Sequence, residues 1–279
     1  MAAEDGREPA GHPKETGTEK LRLDFPREAV ARLTISNPAN RNALDHEILD
    51  AIANTVPALD DGLEVRCLVI TGEDPVFSAG YDIGSIPDET FATDAEALVA
   101  HPFHAALEAL AAFPWPTVAA INGHCLGGGL ELAVTCDLRI AARGAKMGMP
   151  PAKLGLVYSH TGIAKFLEVV GPARTRELFM TGENFGAERA ESFGLVNRVV
   201  DDAELGEEAL ELAGTIAANA PLSMRGNKRM IEALMSGSGL DPELERELVD
   251  LRKACFDSED FREGIAAFAE KRKPRWQGR

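Results

Sequence analysis

Cys67-Leu68-Val69-Ile70 is apolar at every position, and Thr117 to Ile121 is nearly so. A run of that kind offers no polar side to water, so it reads as a strand covered on both faces, the habit of parallel sheets layered with helices. Helical stripes stand where such layers need them. Leu44 to Leu59 carries apolar residues at positions 44, 48, 49, 52, 56 and 59, with Asn42 as the expected cap. Ala95 to Phe113 reads as a second helix, and Leu126 to Thr135 as a third that opens from a glycine-rich turn. Leu21 to Phe25 and Ala29 to Ile35 form an opening hairpin, and Leu138 to Ala142 and Val196 to Val200 are further strands.

Ile163 to Val170, Ala173 to Thr181 and Ala187 to Phe193 read as helices. Beyond Val200 the pattern is helical alone, over Glu204 to Ala218, Leu222 to Met235, Pro242 to Cys255 and Phe261 to Ala269. The expected organisation is a disordered acidic tail over 1–19, an α/β core over 20–200 and a helical C-terminal region over 201–279.

Composition narrows the function. Twenty-nine Lys and Arg stand against 45 Asp and Glu, a net charge of −16, which argues against nucleic-acid partners because those need clustered cations. The longest apolar stretch, Val118 to Cys136, is interrupted by Asn122, His124, Glu131 and four glycines, so no membrane span is expected. Cys67, Cys125, Cys136 and Cys255 form no CxxC pair, and the first 20 residues contain no apolar leader. A reduced, cytoplasmic chain is expected. His101 and His104 stand three apart without a third ligand at metal spacing, so no metal site is expected.

Two glycine-containing turns follow strands: Phe77-Ser78-Ala79-Gly80-Tyr81-Asp82 and Asn122-Gly123-His124-Cys125-Leu126-Gly127-Gly128-Gly129-Leu130-Glu131. Glycine lets backbone approach a ligand closely, and a turn that opens a helix leaves N–H groups unpaired. Two such turns can aim two donors at one oxygen, as in an oxyanion hole; the plainer reading is that the glycines pack a helix on a strand. Neither turn has the GxxxxGK[ST] or GxGxxG pattern of a phosphate loop. Asp82 is expected to anchor its own loop.

These two motifs, with Cys136-Asp137 after the second, resemble the enoyl-CoA hydratase/isomerase (crotonase) superfamily. Further matches are Asn37-Pro38 with Arg41-Asn42-Ala43-Leu44, Ala187 to Val199, and Asp260-Phe261-Arg262-Glu263-Gly264 with Lys271-Arg272-Lys273-Pro274. The resemblance runs from about residue 20 to the C-terminus. It implies a crotonase-like spiral of ββα units with a helical C-terminal trimerisation region, trimers often pairing into hexamers. It implies an acyl-CoA thioester as substrate, a place in acyl-CoA and fatty acid metabolism, and no cofactor beyond the CoA moiety. By the same resemblance the N–H groups of Tyr81 and Gly128 form the oxyanion hole. CoA contacts fall to Arg41, Ala43 and Leu44, to Ser78, Ala79 and Gly80, and, from a neighbouring subunit, to Phe268 and Lys271. The basic finish Lys271-Arg272-Lys273 and Arg275 suits an anionic ligand on an acidic chain.

Hydratases of the family resemble one another in using two glutamates, one to activate water and one to protonate the α-carbon. Glu131 matches the first. At the second, this chain reads Pro150-Pro151 where a hydratase reads Pro-Glu, and a proline ring transfers no proton. The pattern Pro150-x-x-x-Leu154-Gly155-x-x-Tyr158-x-x-x-Gly162 resembles instead the methylmalonyl-CoA decarboxylase branch, although that branch's histidine after Ser-Ala-Gly is Tyr81 here. Loss of CO2 from a malonyl-type thioester needs a stabilised oxyanion and one proton donor, with no activated water. Glu131 held against Leu130 and Val157, Tyr158 and His160 are the three candidates for that donor. Decarboxylation of a short alkylmalonyl-CoA is the favoured expectation, beside hydration with a substitute acid and a non-catalytic acyl-CoA binder.

Overall fold

A computed structural model of the chain describes residues 15–60, 62–82, 99–235 and 241–279. The large sheet has the order β1-β2-β3-β5-β7-β10, where β1 is Leu21–Arg27, β2 Val30–Ile35, β3 Cys67–Gly72, β5 Thr117–Ile121, β7 Leu138–Ala142 and β10 Arg198–Val200. β1 and β2 form the antiparallel hairpin, with Leu21 opposite Ile35, and every other neighbouring pair is parallel. The uniformly apolar runs are its central strands: Cys67–Ile70 and Thr117–Ile121 are buried throughout.

A second, smaller sheet has the order β4-β6-β8-β9, from Val76–Ser78, His124–Leu126, Lys146–Gly148 and Phe185–Gly186. The chain alternates between the two. β3, β5 and β7 enter the large sheet, and each is followed at once by β4, β6 or β8 in the small one. A helical segment then leads on: α2 (His104–Ala111) after β4, α3 (Gly128–Thr135) after β6 and α4 (His160–Thr181) after β8. This is the repeated ββα spiral.

α1 (His46–Ala58) packs chiefly against α2. Its cap is Asp45, whose carboxylate accepts from the Ile48 N–H at 3.0 Å, and not Asn42. Asn42 is a buried left-handed residue (φ 54°), a conformation that asparagine tolerates better than most residues. Its side chain donates to Glu73 O at 2.8 Å and Val76 O at 2.6 Å, tying its turn to the β3–β4 corner. The helix expected over 95–113 is described as a π-helical turn at Val99–Phe103 running into α2; its start lies outside the described residues. The two helices expected between 163 and 181 are one, α4, kinked at Gly171.

α5 (Ala187–Ser192) precedes β10, and α6 (Leu205–Ala217) packs across β1, β2, β3, β5 and β7. The stripe Leu205, Ala209, Ala213, Ile216 is buried in the main core, because a sheet face this apolar needs a covering helix. Core packing thus continues past residue 201 to Ala217, and Met224 of the next helix, α7 (Pro221–Met235), packs against the same core. α8 (Pro242–Asp257) packs on α7, and α9 (Glu259–Glu270) on α8. At the other end, tail residues 1–14 lie outside the described residues, while Thr16 and Thr18 already make hydrogen bonds, the Thr16 hydroxyl donating to Thr18 O at 2.9 Å. Among the described residues no helix is long and apolar enough to cross a membrane.

Candidate active site

The two glycine turns meet. Ala79 N donates to Arg41 O at 3.1 Å, Leu44 N to Gly80 O at 2.8 Å and Asp82 N to Leu44 O at 3.0 Å, which makes a parallel bridge between Leu44 and Tyr81. In a parallel bridge the single residue bonds to the two flanking its partner, so Tyr81's own N–H faces the other way. On that side lies the second turn. A β-carbon on Gly80 would sit 2.8 Å from Leu126 O and 3.3 Å from the Gly128 nitrogen, so the close approach requires glycine. Gly128 is the first residue of α3, whose N–H has no acceptor within the helix. Among the described residues neither the Tyr81 nor the Gly128 amide has an acceptor. Two unpaired amides brought close by these turns are what an oxyanion hole would use.

One turn further along α3 is Glu131, only 3% exposed. All of α3 but Thr135 is buried, and Arg139 on β7 fixes its far end, donating from Nη1 to Cys136 O at 2.5 Å and from Nε to Leu195 O at 2.7 Å. A cation at a helix C-terminus complements the helix dipole. The Glu131 carboxylate accepts from the Tyr158 hydroxyl, and the Tyr81 hydroxyl stands 3.5 Å from the same oxygen. The two phenol oxygens are 3.0 Å apart. The rings are near parallel (18°, centroids 6.4 Å), and Tyr81 meets Phe103 edge-on at 4.6 Å while Tyr158 leans on Phe179 at 5.5 Å.

Burial pushes the Glu131 carboxyl up to about 6, against the opposing pull of the Tyr158 and Tyr81 donors and the positive field of His104. Burial likewise raises both phenols, so both stay neutral donors at neutral pH. The chain contains two tyrosines, and both converge on Glu131. That count was the one signal by which sequence could have found the role of the Tyr81 side chain, to which no contact was assigned beyond the backbone N–H.

Of the expected proton donors, His160 is not in the cluster. It is exposed at the first position of α4, whose cap is Ser159, and the residue of that turn facing Glu131 is Gly162. Val157 is 91% exposed and contributes nothing to burying Glu131; the aromatic rings do that. Pro151, expected from the resemblance at the place of the second glutamate, is buried at the start of a short 3-10 turn, Pro151–Leu154.

The segments expected to hold CoA lie side by side through the bridge: Arg41 exposed, Ala43, Leu44, Ser78 and Gly80 buried, Ala79 between the two. The Asp82 carboxylate accepts from Asn40 Nδ2 at 3.2 Å, which ties the end of its turn to the segment before Arg41. Phe268, 88% exposed, and Lys271 lie apart on α9, and neither has a hydrogen bond to those segments. Arg272 is spent within the chain on Glu263 and Glu270, so the basic finish offers less free charge than its sequence implies. No group of three or more His, Cys, Asp or Glu that could hold a metal occurs among the described residues.

A family model described as enoyl-CoA hydratase/isomerase matches residues 26–279. A crotonyl-CoA hydratase of Syntrophomonas wolfei is 36% identical over 254 residues, 88% of this chain and 94% of that protein. A 2,3-dehydroadipyl-CoA hydratase of Escherichia coli is 33% identical, covering 90% and 96%. The crystal structure of an enoyl-CoA hydratase/carnithine racemase from Magnetospirillum magneticum superposes with a TM-score of 0.85 at 32% identity, covering 94% of this chain and 97% of that one.

Proposed function

The chain belongs to the enoyl-CoA hydratase/isomerase family, and we propose that it acts on an acyl-CoA thioester through an enolate whose oxygen accepts from the Tyr81 and Gly128 N–H groups. The favoured reaction is decarboxylation of a short alkylmalonyl-CoA. One observation carries this: the Glu131 carboxyl is met by two tyrosine hydroxyls, and Pro151 stands where water addition uses a second carboxyl.

The substrate's C–CO2 bond breaks, CO2 leaves, and the electron pair passes into the thioester as an enolate held by the two amides. Glu131 then gives its proton to the α-carbon, forming the C–H bond. The carboxylate left behind is stabilised by the Tyr158 hydroxyl, with the Tyr81 hydroxyl behind it, until solvent restores the proton. A carboxyl held near 6 retains a protonated fraction at neutral pH, and a substrate carboxylate beside it increases that fraction. The scheme uses no group besides these side chains and the CoA of the substrate.

The relatives' names favour a second reading, hydration of a short enoyl-CoA, in which Glu131 takes a proton from water and a tyrosine hydroxyl supplies the α-carbon. Self-association into trimers or hexamers belongs to the same proposal, supported by the exposed Ile231, Leu234, Leu251, Ile265 and Phe268 of α7 to α9. Incubation with methylmalonyl-CoA and with crotonyl-CoA separates the readings. CO2 release from the first is expected. Loss of the conjugated thioester absorbance in the second alone would establish hydration, and inactivity in both with retained CoA affinity would leave a binder.

A further inference from the structure

Tyr81 enters the site at both ends. Its backbone faces the oxyanion position, and its phenol reaches the cluster around Glu131. The residue has little freedom to do otherwise. Its backbone is clamped by the Leu44 bridge, and its ring lies over Gly128, where a β-carbon would come within 2.7 Å of Cε1. Phe103 closes the remaining side edge-on. The hydroxyl is therefore delivered to a fixed place, 3.0 Å from the Tyr158 hydroxyl.

Tyr158 needs that neighbour. Its single hydroxyl proton goes to Glu131, so its oxygen is left as an acceptor in buried surroundings. The Tyr81 hydroxyl fills that role, and a donor whose oxygen accepts a hydrogen bond becomes a stronger donor. We propose that the Tyr81 hydroxyl is a positioning residue that acts through Tyr158, holding its hydroxyl on Glu131 and so setting the pH at which Glu131 carries its proton. The inference rests on the reading above only in taking Glu131 as the proton-transfer group.

The other groups facing Glu131 are few. His104, from the start of α2, is half-exposed and paired with Glu108 at 3.0 Å. α4 presents Gly162, with His160 exposed on the same turn, and α3 bears no other charged side chain.

The test reads Glu131 directly. In protein labelled with 13Cδ-glutamate, the Glu131 carboxyl signal is assigned by its loss in Glu131→Gln and followed between about pH 4 and 9. Tyr81→Phe keeps the ring and the backbone amide. It is expected to raise the Glu131 midpoint by roughly 0.5 to 1 pH unit, and Tyr158→Phe by more. In a Tyr158→Phe background, Tyr81→Phe is expected to add nothing. An unmoved midpoint in Tyr81→Phe, or a shift that persists without the Tyr158 hydroxyl, overturns the proposal. If Tyr81→Phe does not fold, 3-fluorotyrosine at position 81 retains the hydroxyl as a stronger donor. The midpoint should then fall, and no movement overturns the proposal equally.

With whichever thioester is turned over, the Glu131-governed limb of kcat should move with the midpoint while KM stays constant. A wild-type protein that turns over neither thioester, yet shows the midpoint shift, sinks the reaction and leaves the positioning role standing.

Discussion

A β-carbon on Gly162 would lie 2.6 Å from Glu131 Oε1 and 2.7 Å from Tyr158 Cε1, so the carboxyl and the ring occupy the space a side chain at 162 would take. Both are buried and held by each other's hydrogen bond, which leaves them little room to withdraw. Gly162→Ala should therefore push Glu131 off its donors and lower kcat by about 10²-fold, within the usual contribution of a general acid, while the circular dichroism spectrum stays that of the wild type. A wild-type rate would mean that Glu131 has no fixed catalytic position.

Glu131→Gln should reduce turnover by roughly 10²- to 10⁴-fold with little change in CoA affinity, because the amides and the segments proposed to hold CoA are backbone features that the substitution leaves in place. Steady-state kinetics beside calorimetric titration of CoA would separate the two effects. Turnover within a few-fold of wild type would transfer the proton role to a tyrosine.

The same carboxyl makes stability depend on pH. Its folded pKa of about 6 is above its ordinary value, so the folded state holds the proton more tightly than the unfolded chain, and stability falls as pH rises through that window. Between about pH 4 and pH 7.5 wild type should lose about 2 kcal/mol relative to Glu131→Gln, measured by urea denaturation of both proteins at each pH. A constant gap between them would mean that Glu131 titrates like an exposed carboxylate.

Lys228 on α7 reaches into the core, its side chain 9% exposed, and donates to Asp137 Oδ2 at 2.8 Å and Trp115 O at 3.1 Å. The same carboxylate oxygen accepts from Thr117 N at 2.7 Å and Thr117 Oγ1 at 2.9 Å. Asp137→Ala strands a buried cation and an amide together and should cost about 2 to 3 kcal/mol. Lys228→Met leaves Asp137 with both Thr117 donors and should cost less. Chemical denaturation ranks the pair, and the reverse order would show that the ammonium is solvated.

The large sheet was legible because its strands advertise themselves: Cys67–Ile70 has no polar position, and a segment covered on both faces has no other home. The small sheet was not, since Val76–Ser78, His124–Leu126 and Lys146–Gly148 are three residues each, too short for any period. Asn42 was misread as a cap because capping and left-handed turns draw on the same short amides; its bonds to Glu73 and Val76 are contacts across more than 30 residues that no local pattern carries. In the site, the two glycine turns were evident from their residues, and Glu131 from the family resemblance they carry. The contact of Tyr81's phenol was not legible because the Leu44 bridge that aims it is non-local, and His160 stands outside the cluster because Ser159 caps α4 and leaves His160 exposed.

In the proposed mechanism α3 carries both the oxyanion donor, Gly128, and the acid, Glu131, three residues later on one buried helix. Three residues advance about 4.5 Å along a helix axis. On that mechanism the helix is a ruler laid from the carbonyl oxygen toward the acyl chain, and its length would confine proton delivery to the carbons next to the thioester. A reaction run this way makes or breaks its bond at that end, whether the acyl group is long or short.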